Sequence, residues 1–557
     1  MRNSFFVLIA LSTVLITNGQ IKINSPYSSY GIGDIKISEH ANYRGMAHVG
    51  VSGGNMYFPS TLNPALLQRS LDSELKYTQT DFGFHGRWTT LKTSEGTQKN
   101  GDVNLNNITL LFPISNRSTL GIGLKPYSSI NYGISSSEFI NATDEVNYTR
   151  SGNGGLNKLF LSDGFRLVND HSKQTYFSVG GEIDYIFGTI EELSSSKLTT
   201  SSTTSQFRQF TSFSDVAFRG GLSYRKGIKA KGDTLRGVYN SKVDRFKGQN
   251  DTLSIKEYSC EKLVITNTES LCTPIPDNKL KKYKKHFLYL AKMEINGKDT
   301  TKTYFPIQRD LLGNANRRLI AKDSLLYTKK LIFLGSDTLS FPTGTFINFG
   351  FVYEHNSKIS GNNLFITERL DADQGQIFAD TLDDQAQTMT LPRIFRFGIS
   401  FDKPKPFGYN KYRIAKTSTW SIGLDLAYNQ WDAYQHFNKS RDLLNTFRTA
   451  IGGEYSPNPV TGKWLERWIY RAGVSYEKLP YKVEGTDITE LGITFGTSIP
   501  MGSFSVRQRR FPKYLNIAVE YGKRGTIANG LVEEHYFLTT FSLTANSKWF
   551  TKRKIGL

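Results

Sequence analysis

The sequence predicts an all-β chain: a transmembrane antiparallel β-barrel of about 14 strands, with an N-terminal luminal plug and a large insertion between strands 6 and 7. Three observations predict it. Aromatic residues reach 13% of the 557 while all hydrophobic residues make up only 38%, with 37 Phe and 29 Tyr. That mixture is too aromatic for disorder and suits a pleated surface. Many long stretches alternate apolar and polar residues, which is the period of a strand with two different faces. Past residue 20, no window approaches the ~18 consecutive apolar residues of a membrane helix.

Taken in chain order, residues 1–19 read as a signal peptide. Arg2 supplies the positive start, Phe5–Ile16 the apolar core, and Gly19 the small residue before the cut. Residues 20–72 lack alternation and form the expected plug segment. Strands are expected near 74–92, 102–115, 117–131, 156–170, 174–190 and 211–227, so that 73–227 holds strands 1–6. Eight more are expected near 344–357, 389–403, 417–433, 443–457, 464–481, 486–501, 513–526 and 532–546, so that 344–546 holds strands 7–14. Residues 547–557 form a basic tail. The even count is that of bacterial outer-membrane barrels.

The faces follow from the alternation. Trp420, Ile422, Leu424, Leu426 and Tyr428 oppose Ser421, Gly423, Asp425, Ala427 and Asn429; Leu515, Ile517, Val519 and Tyr521 oppose Asn516, Ala518 and Glu520. A soluble β-sandwich also alternates, but its strands average ~5–6 residues. The tyrosines Tyr185, Tyr224, Tyr353, Tyr428, Tyr455, Tyr476 and Tyr521 fall on the apolar face near segment ends, where a membrane–water girdle places them. The apolar face therefore meets lipid. Glu182, Asp184, Arg396, Asp425, Arg448, Glu454, Arg471, Glu477 and Glu520 then line the lumen. Their mixed signs on adjacent strands predict ion pairs that satisfy one another and hold the plug. As a pore lining, Arg396, Arg448 and Arg471 are candidate contacts for an acid head group. Gly220-Gly221 and Gly452-Gly453 lie in strands, where small residues permit bending.

Short connections such as Ser115–Ser118 and Asn169–Lys173 alternate with longer ones at 131–155 and 190–210. Barrels of this type put short turns in the periplasm and long loops outside. By that parity the Asp-, Gln- and Thr-rich 357–389 lies outside the cell and 228–343 lies in the periplasm. The insertion holds 22 Lys+Arg against 12 Asp+Glu, half of the chain's net +20. Charge concentrated there excludes a nucleic-acid surface spread over the protein and suits a solvated face, or a module docking an acidic partner or anionic lipid. Cys260 and Cys272 lie inside it, in an oxidising compartment that favours one disulfide over two free thiols.

Three stretches resemble a family of outer-membrane barrels widespread in Bacteroidota and related to the FadL-type long-chain fatty-acid channels. Asn24-Ser25-Pro26-Tyr27-Ser28-Ser29-Tyr30-Gly31-Ile32-Gly33-Asp34 resembles that family's opening motif, with Ser29 where Arg is common. Asn63-Pro64-Ala65 resembles the plug motif of FadL-type channels, and Asn546–Lys554 the closing motif. The resemblance implies a monomeric barrel in which apolar ligands bind near the plug and leave sideways through the wall. Candidate ligand and plug residues are then Tyr57, Phe58, Leu62, Asn63, Pro64 and Ala65. No His-Glu-x-x-His, phosphate loop or Cys/His zinc spacing is present, which speaks against an enzyme, a metal or another cofactor. The expected function is passive uptake of small hydrophobic molecules across the outer membrane. The competing expectation is a scaffold subunit of a secretion or assembly complex that docks a protein partner through 228–343.

Overall fold

Fourteen strands pair each with the next, and the last closes on the first. In the computed structural model these are β1 Tyr77–Lys92, β2 Thr97–Pro113, β3 Ser118–Pro126 continued by Ser128–Phe139, β4 Glu145–Asp170, β5 Thr175–Leu198 and β6 Thr204–Gly227. Then come β7 Phe346–Glu354 continued by Lys358–Leu370, β8 Gln376–Thr390 continued by Arg393–Lys403, β9 Thr419–Gln430, β10 Thr446–Ser456, β11 Ile469–Val483, β12 Thr486–Met501, β13 Lys513–Gly525 and β14 Glu533–Lys548. Every ladder is antiparallel, and β1 closes against β14 over sixteen register pairs from Tyr77↔Lys548 to Lys92↔Glu533. Closure leaves no free rim to the sheet as a whole, which is what a bilayer demands of strands.

The structure describes residues 25–36, 40–72, 77–140, 144–170, 174–228, 345–371, 375–403, 418–436, 439–440, 443–457, 463–501 and 512–548, with short strand pieces between 234 and 340. The expected signal peptide, most of the 228–343 insertion with Cys260 and Cys272, and residues 549–557 lie outside the described residues. Within the insertion, Leu288–Asn296 pairs with Asp299–Ile307 as a hairpin. Among the described residues no helix is long and apolar enough to cross a membrane; the crossing is made by strands.

The in-and-out assignment holds strand by strand. Phe397, Ile422, Leu426, Ile451, Val474, Phe495 and Tyr521 are exposed on the outside, whereas Asp425, Arg471, Glu182, Asp184 and Glu520 are buried. Aromatic rings gather near the ends of the strands: Trp88 stands against Phe537 and Tyr521 against His535 at one end. Tyr224 lies beside Phe349, and Trp464 against Trp468, at the other.

Two expectations change. The stretches 131–155, 190–210 and 357–389 are continuations of the strands rather than long loops. β4, β5 and β6 reach 26, 24 and 24 residues, twice the 12 of β9. Runs such as Ser194-Ser195-Ser196 carry no apolar alternation because, above the membrane, they have no lipid face to satisfy; Ser and Thr still pair as strand. Residues Ser547 and Lys548, expected in the tail, end β14 by pairing with Thr78 and Tyr77.

Candidate functional site

The N-terminal segment is where most inward side chains converge. Residues Pro64–Asp72 form a short 3-10 helix started by Asn63, whose side-chain oxygen accepts the Ala65 N–H at 3.0 Å. The Asn63 amide also donates to the carbonyls of Val51 (2.8 Å) and Leu222 (2.9 Å), tying the segment to β6. Asp425 on β9 accepts the N–H groups of both Gly50 (2.7 Å) and Val51 (2.9 Å). Arg448 donates to Ala47 O at 3.0 Å, and Asn55 to Glu454 at 3.0 Å.

Glycines on the inner wall make room for this chain. A β-carbon at Gly452 would sit 2.2 Å from Met46 O, one at Gly350 2.0 Å from Val51 O, and one at Gly221 2.1 Å from the Asn63 side chain. The expected bending role of Gly221 and Gly452 is thus corrected. They are seats for another stretch of backbone, the second reason for glycine in a strand.

The expected ion pairs form, and they do so in chains. Across five adjacent strands, Lys158 contacts Glu182 (3.3 Å) and Asp184 (3.1 Å), Glu182 pairs with Arg219, Arg219 reaches Glu354 (3.7 Å), and Glu354 pairs with Arg396. Arg219 also donates to Thr61 O at 3.0 Å. Arg471 pairs with Glu454 at 3.1 Å and Arg448 with Glu477 at 3.5 Å. Glu520 receives Arg44 of the N-terminal segment at 3.5 Å and the Tyr536 hydroxyl at 3.1 Å. Arg219, Glu354 and Lys158 were missed in the sequence. Extending the alternation through β4, β6 and β7 finds them, since each has one large apolar or aromatic neighbour on the outer face: Leu159, Phe218 and Tyr353.

A second cluster was also missed, and it holds the chain's first described residues. Asp34 lies 2.9 Å from Arg524, which also binds Glu490 at 2.7 Å; Lys36 (3.9 Å) and Arg87 (4.0 Å) complete the ring around Asp34. Burial by itself pushes the Asp34 carboxyl up, but Arg524, Lys36 and Arg87 outweigh it and hold it at about 2. Burial pulls the Lys36 ammonium down to about 8 despite Asp34. No sequence period marks Asp34, because it stands in an irregular segment.

The wall itself breaks at β3. Its lower half pairs with β2 from Pro113↔Thr119 to Ile108↔Leu124. At Pro126, which lacks an N–H to donate, and Tyr127, the strand turns inward. The upper half pairs only with β4 and, through Ser128 and Ser129, with Ile35 and Asp34 of the N-terminal segment. Gly154 (φ +117°) on β4 and Gly188 (φ +156°) on β5 sit beside the turn in a backbone region that side chains rarely adopt. Among the described residues, Thr97–Asn107 of β2 therefore pairs with β1 alone and presents an unpaired edge toward upper β3.

A cavity of 680 Å³ extends from the lumen to this break. Asp102, Asn104 and Leu105 of β2 line it on one side and Ser128, Ser129 and Asn131 of β3 on the other. Inside, Lys36, Arg44, Arg87, Arg448 and Arg524 face Asp34, Asp102, Glu477, Glu490 and Glu520. Of the lumen-lining residues expected from sequence, Arg448, Glu477 and Glu520 reach the cavity. The six expected ligand and plug residues line other parts. Phe58 packs on Tyr514 (4.9 Å) under the Arg471 guanidinium (5.0 Å), with Tyr57 at 6.3 Å from Tyr514. Leu62 joins Tyr43, Met46 and Val49. Asn63, Pro64 and Ala65 form the buried tether to β5 and β6.

A family model for BamG matches residues 1–285 and 340–556. The chain belongs to the BamG family. Solved structures with related form include a Pseudomonas aeruginosa FadL homologue, 11% identical over 93% of this chain and 99% of its own, with a TM-score of 0.44. The Ralstonia pickettii toluene transporter TbuX is 9% identical over 90% and 97%, with a TM-score of 0.39. The Pseudomonas putida toluene transporter TodX is 10% identical over 92% and 98%, with a TM-score of 0.42. No curated protein matches the chain. The stretch between the two matched spans, 286–339, falls within the basic insertion.

Proposed function

We propose that this BamG-family barrel resides in the outer membrane and passes small hydrophobic or amphipathic molecules between its lumen and the outer leaflet, sideways through the break between β2 and upper β3. The plug formed by residues 25–72 controls the path. The observation that carries this reading is the coincidence of the 680 Å³ cavity with the unpaired β2 edge described above. An unpaired edge facing lipid is costly, because no water is there to satisfy it, and is tolerated where it lines a polar cavity. Passage needs no energy input in this reading.

Sealing the break tests it. Cysteines at Asn104 and Ser129 are joined by a cleavable bis-maleimide, and entry of a fluorescent fatty acid and of an aromatic hydrocarbon into liposomes carrying the barrel is followed. Entry falls on cross-linking and returns on cleavage; entry indifferent to the cross-link refutes the sideways route.

A second reading is a non-enzymatic subunit of an outer-membrane secretion or assembly complex. It is supported by the +10 excess of the 228–343 insertion, which a simple channel does not require. Co-isolation of large partners from detergent extracts, lost when 228–343 is deleted, supports it; partners that persist after deletion move the docking surface elsewhere.

A further inference from the structure

The chemistry of the break differs from that of an oily slot. Its two banks present Asp102 and Asn104 against Ser128, Ser129 and Asn131, and Asn104 already donates to Asp102 at 2.6 Å. Behind them, the five cations and five carboxylates of the cavity balance. A set so balanced favours neither a simple anion nor a simple cation, since each desolvated charge needs a partner of opposite sign.

Several buried polar atoms here have no hydrogen-bond partner: His85 Nδ1, the Tyr481 hydroxyl, Ser128 Oγ, Asp102 Oδ1 and Asn131 Oδ1. His85, Tyr481 and Ser128 are each more than nine-tenths buried. The hydroxyls can donate; the Asp102 and Asn131 oxygens can only accept. A group that satisfies all of them therefore both accepts and donates. Just below the break the outer surface turns apolar, with Ile108, Ile122 and Leu159 exposed on the lipid face of β2, β3 and β4.

We infer that the lumen cavity and the break together bind the headgroup of a zwitterionic membrane lipid, phosphate and ammonium together, with its acyl chains lying outside against Ile108, Ile122 and Leu159. The phosphate faces the Arg87 and Arg524 side of the cavity, and the ammonium lies at the break between Asp102 on one bank and Asn131 on the other. This rests on the sideways route proposed above and names what occupies it.

The test uses the full-length barrel, purified in a mild detergent and offered an equimolar mixture of dioleoyl phosphatidylethanolamine and dioleoyl phosphatidylglycerol, with retained lipid read by native mass spectrometry. One phosphatidylethanolamine is retained per barrel, in preference to phosphatidylglycerol by about tenfold, the worth of one charge-assisted hydrogen bond. Asp102→Lys, at the unpaired edge and so compatible with folding, removes or reverses that preference. Equal or preferred retention of phosphatidylglycerol overturns the inference, as does no retained lipid. Inorganic phosphate or glycerophosphoethanolamine that displaces the lipid at equal concentration also overturns it, since the site then reads a free anion or a bare headgroup. The liposome entry assay separates the two ideas. Hydrophobic probes that enter through a barrel retaining no phosphatidylethanolamine sink the headgroup assignment alone. Phosphatidylethanolamine retained by a barrel that admits no probe sinks the passage reading and leaves a static lipid site.

Discussion

Replacing Asp425 by alanine should detach the N-terminal segment from the wall while leaving the barrel closed. The carboxylate accepts two backbone N–H groups, Gly50 at 2.7 Å and Val51 at 2.9 Å, on a segment with no strand partner at that point. Alanine leaves both donors buried and unpaired, at about 1–3 kcal/mol each, so local docking weakens by about 2–6 kcal/mol. Asparagine keeps an oxygen that can accept both bonds and loses only the charge assistance, about 1 kcal/mol. Hydrogen exchange in detergent reads this directly. At 1.4 kcal/mol per decade, amides 50 and 51 should exchange about thirtyfold faster or more in Asp425→Ala, and about fivefold faster in Asp425→Asn. Heat-modifiable migration of the barrel on a gel should not change. Exchange at Gly50 and Val51 that is unaltered by the alanine, or asparagine behaving like alanine, refutes the argument that this carboxylate anchors the segment.

Other outcomes follow from the same geometry. Gly452→Val places side-chain carbon against Met46 O and should loosen residues 40–72 by about 1–3 kcal/mol, seen as faster proteolysis there; Gly181→Val, with open space around it, should change nothing. Phe397→Lys puts a charge on the lipid face and should cost about 2–4 kcal/mol in folding into liposomes if the residue lies near the midplane, measured by denaturant titration. Docking of residues 25–36 should vary with pH in two windows. The depressed Asp34 carboxyl contributes stability that is present above its ordinary value of 3.8 and lost as pH falls toward about 2, an effect of about 2 kcal/mol. Lys36, depressed to about 8, is docked with fewer protons than it holds when free, so docking strengthens as pH rises from about 8 toward 10.5. Protection of the segment from protease across both windows checks the sign, and flat protection contradicts it.

The strands were legible because the membrane imposes a period of two on every segment that crosses it. Phe397 beside Arg396, and Leu426 beside Asp425, name their faces without any knowledge of neighbours. Outside the apolar band that constraint stops, so the upper parts of β4 to β8, with Ser194–Ser196 and Asp380, read as loops although their backbones still pair. The side-chain ion chains were half legible: Arg396 and Glu454 could be placed inward, but not their partners across the sheet, because register is a matter of tertiary pairing. Asp34 and the break at Tyr127 left no trace in the alternation. Both depend on where an irregular segment lies against the wall, and Gly221 and Gly452 show the same thing from the wall's side.

The unequal strand lengths have one more consequence. At about 3.3 Å per residue, β5 is some 80 Å of chain and β9 about half that, so the outer rim is high on one flank and low on the other. Anything arriving from the medium, whether antibody, phage or neighbouring cell surface, meets the tall flank first, around the Thr199–Thr203 bend. That parapet is the natural place for an epitope tag.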